Sequence, residues 1–475
     1  MNSINEKIDI DQLFSCQHNR QNLQALKNTN ARDRIGKIKK IEQYILNPDN
    51  HKKIATALSK DLRKSNEEVI STEISPVILT IKSVYKNLKG WMLDEHVPSP
   101  LTMAGMSSYI KYEPKGHIMI MSPWNYPFQL SLNPLIYALV AGNAITIKPS
   151  EISANTSAVL KQMITDIFPE NEVAVIEGDV SIATKLLDKP FNHIHFTGSP
   201  SVGRIIMKAA SKHLTSITLE LGGKSPVIVD DTVNEKSAAQ KIAWAKCLNS
   251  GQTCIAPDYA LVHKSKLHSF LNEFQSTINK FYNPEKKGIQ LSPHYCRIIN
   301  EKNHKRIINL IDNAIQNGAK KVIGEDSDAE DKFISPTVLI NVENNMDIMK
   351  EEIFGPVLPV ITYNEIDEAI DKIHQLPTPL ALYIMSNSNK NINQIMNNTS
   401  AGGTAINELM VTSVNPNLPF GGVNNSGMGK SNGKHSFIDF SNERGIVKRK
   451  WGNLKMIYPP YSARIFKLFK RVIRL

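Results

Sequence analysis

Cysteine is scarce in this chain: Cys16, Cys247, Cys254 and Cys296 are all that 475 residues contain. They are too few and too scattered for a disulfide framework, and none forms a CxxC pair or a Cys/His cluster with zinc spacing. No metal site is therefore expected, and a reduced compartment with thiols available is the simpler reading. Long apolar runs are also missing, since none reaches the ~18–20 residues that a membrane-spanning helix needs. The opening stretch MNSINEKIDIDQLF is polar and acidic without an apolar h-region, so no signal peptide is expected and the chain reads as cytoplasmic. Acidic residues vanish after Glu443, where ten Lys/Arg follow; they carry all but one of the net charge of +11. The basic signal belongs to the tail, and a nucleic-acid role for the whole protein loses its main support.

What is present is a globular composition, with 41% hydrophobic and 21% charged residues, long enough for two or three domains. Ile35, Ile38, Ile41 and Ile45 recur at helical spacing, as do Ile74, Ile78, Ile81, Tyr85 and Leu88, with Pro76 expected to kink the start of that second helix. From Tyr109 the texture changes to short apolar runs ending in Pro or Gly: HIMIMSP (117–123), AITIKPS (144–150), EVAVIEG (172–178), HIHFTGS (193–199) and SITLELGG (216–223). Helical stretches at about 129–141, 153–168, 181–187 and 201–211 lie between them, which predicts βαβ units and a parallel sheet covered on both faces. Further strands are predicted at PVIVD, YALVH, FISPTVLI and VLPVITY between 226 and 415. Ligands of such sheets bind beyond the carboxyl ends of the strands. Those ends here carry Trp124-Asn125, Lys148-Pro149-Ser150-Glu151, Gly198-Ser199 and Glu220-Leu221-Gly222-Gly223.

Cys254 differs from the other cysteines in its flanks. Asn249, Ser250, Gly251, Gln252 and Thr253 are poor core material, and Pro257 limits helix continuation, so the stretch reads as a turn presenting a thiol near a cleft. A lone cysteine more often simply packs.

PWNYPF (123–128), KPSE (148–151), FTGSPSVG (196–203), LELGGKSP (219–226), NSGQTC (249–254), EEIFGPV (351–357) and LPFGGVNNSGMG (418–429) occur in this order. Together they resemble the NAD(P)-dependent aldehyde dehydrogenase superfamily, and NSGQTCIAPDY with a short N-terminal arm resembles its class 3 branch, which includes fatty aldehyde dehydrogenases. The resemblance spans roughly residues 20 to 455. It implies an α/β fold with a Rossmann-type cofactor domain, an α/β catalytic domain and a small oligomerisation arm. The boundaries expected are 1–222 for the N-terminal helices and cofactor domain (95–112 belonging to the arm), 223–416 for the catalytic domain, 417–455 for an oligomerisation segment and 456–475 for the tail. It further implies a homodimer.

The resemblance makes Cys254 the nucleophile that forms a thiohemiacetal and then a thioester with an aldehyde. Glu220 becomes the general base, its plain alternative being an ion pair with Lys224. Asn125 becomes the oxyanion donor, alongside the Cys254 backbone N–H. A G-x-G-x-x-G fingerprint is absent; GSPSVG replaces it, with Gly198, Ser199 and Gly203 opening a helix whose N-terminus suits a pyrophosphate. Trp124, Lys148, Glu151, Glu352 and Phe354 complete the implied cofactor set. Glu151 favours NAD on the adenine ribose, while Lys148 leaves NADP possible. The implied substrate is a medium- or long-chain aliphatic or aromatic aldehyde.

Other readings stay open. A binding protein that kept the fold and lost turnover conflicts with intact Cys254, Glu220 and Asn125, and acyl-CoA or acyl-phosphate chemistry conflicts with Glu220. His193 and His195 alternate on a strand without a third ligand, and Met119 and Met121 read as core. Ser431-Asn432 stand where this branch usually has aromatic and histidine residues, a departure expected to leave the nucleophile and base untouched. The tail, YPPYSARIFKLFKRVIRL, places Ile465, Leu468, Phe469, Val472 and Leu475 on one helical face among Lys467, Lys470, Arg471 and Arg474. That pattern predicts a basic amphipathic helix for an anionic membrane surface, or one that packs on the body or a dimer partner.

Overall fold

The structure is a computed structural model and describes residues 9–453, 455 and 458–472. Two sheets organise it. The first has six strands in the order Gly427–Met428, Ser216–Leu221, His193–Gly198, His117–Met121, Ala144–Lys148 and Val173–Val175. All neighbours are parallel except Gly427–Met428, which pairs antiparallel with Ser216–Leu221. Every residue of His117–Met121 and Ala144–Lys148 is buried, which is why they read as continuous apolar runs rather than alternating ones. Helices Gln129–Ala141, Ala154–Ile167, Val180–Leu187 and Pro200–Ala210 connect the strands within a residue or two of the predicted spans. His117–Met121 is central, with the next strand in sequence on one side and His193–Gly198 on the other. The strand order reverses there, and a crevice opens beyond Met121 and Gly198.

The second sheet has seven strands in the order Lys320–Ile323, Thr337–Ile340, Val357–Tyr363, Tyr259–His263, Pro226–Val229, Ala381–Met385 and Gly403–Ile406. Four of these match prediction. Lys320–Ile323, Ala381–Met385 and Gly403–Ile406 were not predicted: the first is a short edge strand beginning with two lysines, and ALYIM is a brief buried run whose period distinguishes nothing.

The N-terminal helices clamp onto the first sheet. Ile38, Ile41 and Ile45 of Ala31–Leu46 and Ile81 and Leu88 of Ser75–Trp91 are fully buried, each worth about 2–3 kcal/mol of burial. Pro76 follows directly on a π-helical turn at Ile70–Ile74, so the regular α-helical hydrogen-bond pattern changes at the start of that second helix, where the proline stands. A separate three-stranded antiparallel arm joins Glu95–Val97, Met106–Pro114 and Ser441–Arg449, the last two in unbroken register from Ser441 opposite Pro114 to Arg449 opposite Met106. The tail forms a helix, Ala463–Val472, on which Phe466 and Phe469 are exposed and Ile465 is half-buried. Of its other predicted apolar positions, the side chains of Leu468 and Val472 and the whole of Leu475 lie outside the described residues.

Candidate active site

The stretch before Cys254 has an unusual backbone. After helix Glu235–Cys247, Asn249 and Ser250 both adopt φ 50° and Gly251 φ 73°, three left-handed residues in a row. At 251 a side chain would run into the Gly355 carbonyl, so only glycine fits. Such a turn persists only when its surroundings over-determine it, and here they do. The Asn249 N–H donates to Glu68 Oε1 (2.9 Å), its Nδ2 to the carbonyls of Asn125 (2.9 Å) and Gln252 (3.1 Å), and Ser250 Oγ to the Cys296 carbonyl (2.8 Å). Gln252 Nε2 donates to the carbonyls of Asn249 and Arg297 (3.0 Å each), while its Oε1 accepts from the Ile299 N–H (3.0 Å). Tyr126 and Thr253 share a hydroxyl hydrogen bond of 2.7 Å.

Asn125 is held from both ends. Its Nδ2 donates to the Gln252 carbonyl (3.0 Å), which leaves the second amide N–H of the same nitrogen for another acceptor. Its carbonyl accepts from Lys64 Nζ (3.1 Å), and Lys64 is fully buried against Glu73 Oε1 (2.6 Å), whose Oε2 accepts from the Gln129 N–H (2.9 Å). Sequence reasoning missed Lys64, Glu68 and Glu73. Glu68 lies about 180 residues before the loop it braces. Lys64 stands in the connection before helix Asn66–Val69 and Glu73 in the π-helical turn after it, a polar stretch whose burial nothing in the sequence signals.

Glu220 ends the strand Ser216–Leu221, beside Gly222 and Gly223. The alternative partner is excluded: Lys224 Nζ pairs with Asp258 instead and also donates to the carbonyls of Ile348 (2.7 Å) and Glu351 (3.1 Å). Glu220 accepts at Oε1 from Ser431 Oγ and at Oε2 from Thr197 Oγ1 (3.3 Å). The expectation that Ser431 leaves the base untouched is therefore corrected. Pairing of Gly427 with Glu220 brings the 427–431 loop onto that carboxylate, a contact that only sheet register creates.

Glu352 and Phe354 sit on a segment that Asp258 and Arg306 fix. Asp258 Oδ1 accepts from the Ile353 N–H (3.0 Å), and Arg306 donates to the carbonyls of Glu352 (3.2 Å) and Ile353 (2.6 Å). Phe354 adopts φ 49°, and its ring meets Trp124 edge-on with centroids 5.3 Å apart. The Glu352 carboxylate lies against Gly222, where any side chain would overlap it. Burial, with Asp258 adding to it, raises its carboxyl to about 8. Burial also pushes the Cys254 thiol up to about 12, and the carboxylates of Glu352 and Glu220 add to that push. Both carboxylates are thus near enough to Cys254 to act on its thiol through charge.

The strand-order reversal is where a parallel sheet of this kind takes its ligand. Gly198 and Ser199 border it, Ser199, Ser201 and Val202 are exposed at the start of Pro200–Ala210, and a side chain at Gly203 would crowd Leu221, so the glycine lets the helix close on its strand. Ser199 Oγ caps the Val202 N–H at 3.4 Å, a long contact that an anion can replace. At the neighbouring strand end, buried Lys148 Nζ donates to Glu151 Oε2 (2.7 Å) and to the Pro149 carbonyl (3.0 Å). His193 lies elsewhere, hydrogen-bonded through Nδ1 to Ser216 Oγ (2.9 Å) and facing Asp439, and Met119 and Met121 are core.

Residues 6–446 match the aldehyde dehydrogenase family. The chain is 44% identical over 418 residues to 4,4'-diaponeurosporen-aldehyde dehydrogenase of Staphylococcus aureus, covering 88% of this chain and 90% of that one. It is 41% identical to a dimeric NADP-preferring aldehyde dehydrogenase of Mus musculus, covering 88% and 91%. A solved substrate-bound state of Staphylococcus aureus AldH superposes with a TM-score of 0.92 at 41% identity, covering 100% of both chains.

The thiol's electrostatics carry a test. Alkylation requires the thiolate, so with the Cys254 thiol near 12 its modification by iodoacetamide should rise about tenfold per pH unit from pH 7 to 9 without levelling. Glu352→Gln removes a carboxylate that deters the thiolate, so the same reaction should accelerate at pH 9. Peptide mass spectrometry isolates Cys254 from exposed Cys16; a plateau near pH 8 would contradict the buried, acid-flanked thiol.

Proposed function

The chain belongs to the aldehyde dehydrogenase family and oxidises aldehydes to acids with NAD(P), and we propose that it does so through a covalent adduct on Cys254, with Glu220 as base and Asn125 as oxyanion donor. The observation that supports this reading is the braced left-handed loop ahead of Cys254, whose Gln252 carbonyl is hydrogen-bonded by Asn125, with the Glu220 carboxylate near enough to influence the thiol. Bound NAD(P) supplies the hydride acceptor, and Trp124, Gly198, Ser199, Gly203, Lys148, Glu151, Glu352 and Phe354 hold it.

Cys254 Sγ bonds to the aldehyde carbon while its proton leaves. The carbonyl oxygen becomes an oxyanion that receives the unused Asn125 N–H and the Cys254 backbone N–H, donors worth roughly 3–4 kcal/mol each. A thiol that is neutral at rest and deprotonates only as it reacts is protected from side reactions, and a nearby carboxylate is the group to take its proton. As the oxyanion reforms its C=O bond, the carbon's hydrogen leaves as hydride to the nicotinamide acceptor that bound NAD(P) would supply, which makes the Cys254 adduct a thioester. Glu220 then activates the water that hydrolyses it.

The substrate we infer is a medium- or long-chain aliphatic or aromatic aldehyde, delivered at an anionic membrane surface that the tail touches. No described helix is long and apolar enough to cross a membrane. The helix Ala463–Val472 instead sets exposed Phe466 and Phe469 among Lys467, Lys470 and Arg471, a composition suited to lying on lipid. The mouse relative is named dimeric, and the exposed arm strand Ser441–Arg449 is the part of this chain read as meeting a second copy.

Cys254→Ala should retain less than about 1% of wild-type oxidation while binding NAD(P) normally by calorimetry, because only the covalent step needs sulfur; substantial residual turnover would refute the nucleophile. Glu151→Ala should weaken NAD about tenfold and NADP much less, since it removes a ribose partner and releases Lys148 toward a 2′-phosphate. Equal losses for both would overturn the ribose assignment. Co-sedimentation should show salt-sensitive binding to anionic but not zwitterionic vesicles, lost on truncation after Pro460; if the full chain stays in the supernatant, the membrane reading fails.

A further inference from the structure

Ser431 and Asn432 interrupt the pattern of the resembling branch, and the structure gives both a task. The strand pair Gly427–Glu220 and Met428–Leu219 seals the edge of the first sheet, and the chain then turns at Gly429 with φ 83°. Ser431 is pinned by a two-way bridge to Phe420: the Phe420 N–H donates to the Ser431 carbonyl (2.9 Å) and the Ser431 N–H to the Phe420 carbonyl (2.7 Å). Asn432 holds the next turn at φ 82°. Its amide donates to the carbonyls of Asn415 (2.7 Å) and Leu418 (3.2 Å), and its N–H donates to Ser436 Oγ (2.7 Å). With ψ 129° the residue lies outside the left-handed helical region that asparagine favours, so these hydrogen bonds are what hold it there. The loop so fixed aims the Ser431 hydroxyl at Glu220 Oε1, while Thr197 occupies Oε2.

The Ser431 hydroxyl has one proton and two acceptors within reach, because the Phe420 carbonyl lies 3.3 Å from the same oxygen. When the carboxylate moves or takes up a proton, the hydroxyl can turn to that carbonyl and no donor is left unpaired, which removes the usual penalty for releasing a half-buried partner. Glu220 is thereby oriented without being locked.

We propose that Ser431 is a positioning residue for Glu220 in thioester hydrolysis, a role specific to this chain's Ser-Asn pair; it rests on the reading of Glu220 as base. In that step water's oxygen bonds to the acyl carbon, the C–S bond breaks, Cys254 sulfur leaves as thiolate, and the water's proton passes to Glu220. Ser431 transfers nothing. It fixes where the accepting oxygen stands, and a misdirected base loses rate in this step without loss of cofactor affinity.

The test is a double-mutant cycle on hydrolysis of the acyl group, followed by acid quench and mass spectrometry of the Cys254 peptide. Ser431→Ala should slow hydrolysis about tenfold, the scale of a lost hydrogen bond to a charged group, so that acylated Cys254 accumulates. The KM for NAD(P) should stay within about twofold, and Ser431→Thr, which keeps the hydroxyl, should recover most of the rate. In a Glu220→Gln background, Ser431→Ala should cost less than about twofold, because the partner it positions is gone. An unchanged rate in Ser431→Ala, or the same tenfold loss in both backgrounds, would overturn the positioning role while leaving the base assignment intact. Full hydrolysis by Glu220→Gln alone would overturn the base, and the proposal with it.

Discussion

Three consecutive left-handed residues ahead of one cysteine are the constraint on which the site depends. Non-glycine residues in that region cost of order 1 kcal/mol or more apiece, and Asn249 and Ser250 both adopt it. The return comes from hydrogen bonds that no regular helix or strand would offer: Asn249 and Gln252 between them engage the carbonyls of Asn125, Asn249, Gln252 and Arg297. The strain is thus not local. It is balanced by the N-terminal helices through Glu68, by the 123–128 segment through Asn125, and by the 296–299 segment through Cys296, Arg297 and Ile299. Loosening any of the three changes where Cys254 points.

The charges around the cleft follow a division of partners. Lys224 and Lys64 are committed to Asp258 and Glu73, pairs that fix backbone: Asp258 holds the Ile353 N–H, and Lys64 holds the Asn125 carbonyl. Glu220 and Glu352 are left without a lysine in direct contact. Glu220 is satisfied by hydroxyls, while Glu352 is buried against Gly222, which disfavours its charged form and raises its carboxyl to about 8. Asp258 and Glu73 are paired with cations, whereas Glu220, proposed to work on substrate, is held by hydroxyls that can release it. A buried cation at Glu220 would hold it ionised and in place, which suits a brace and not a base.

Much of this was legible in the residues. The parallel strands could be read because sheets covered on both faces demand continuous apolar runs, and the Gly and Pro at their ends mark where the chain leaves the sheet. ALYIM and KKVI could not, being too short for periodicity to distinguish strand from helix. For Pro76, sequence shows a proline within a helical pattern; that the pattern changes there through a π-helical turn is visible only in the structure.

The order of short motifs carried the family resemblance, and with it the proposed chemistry: a thiol in a polar turn, a carboxylate at a strand end followed by two glycines, an amide in a tight loop. Residue type and neighbours suffice there, because reactivity and turn geometry are local properties. Which groups hold those three in place was decided only in three dimensions. Glu68, Lys64 and Glu73 reach the loop from far upstream, Asp258 rather than Glu220 takes Lys224, and Ser431 meets Glu220 because Gly427 pairs opposite it. Hydrogen-bond partners are chosen by register and packing across the whole chain, and a linear sequence carries no record of which donor the fold will bring to which acceptor.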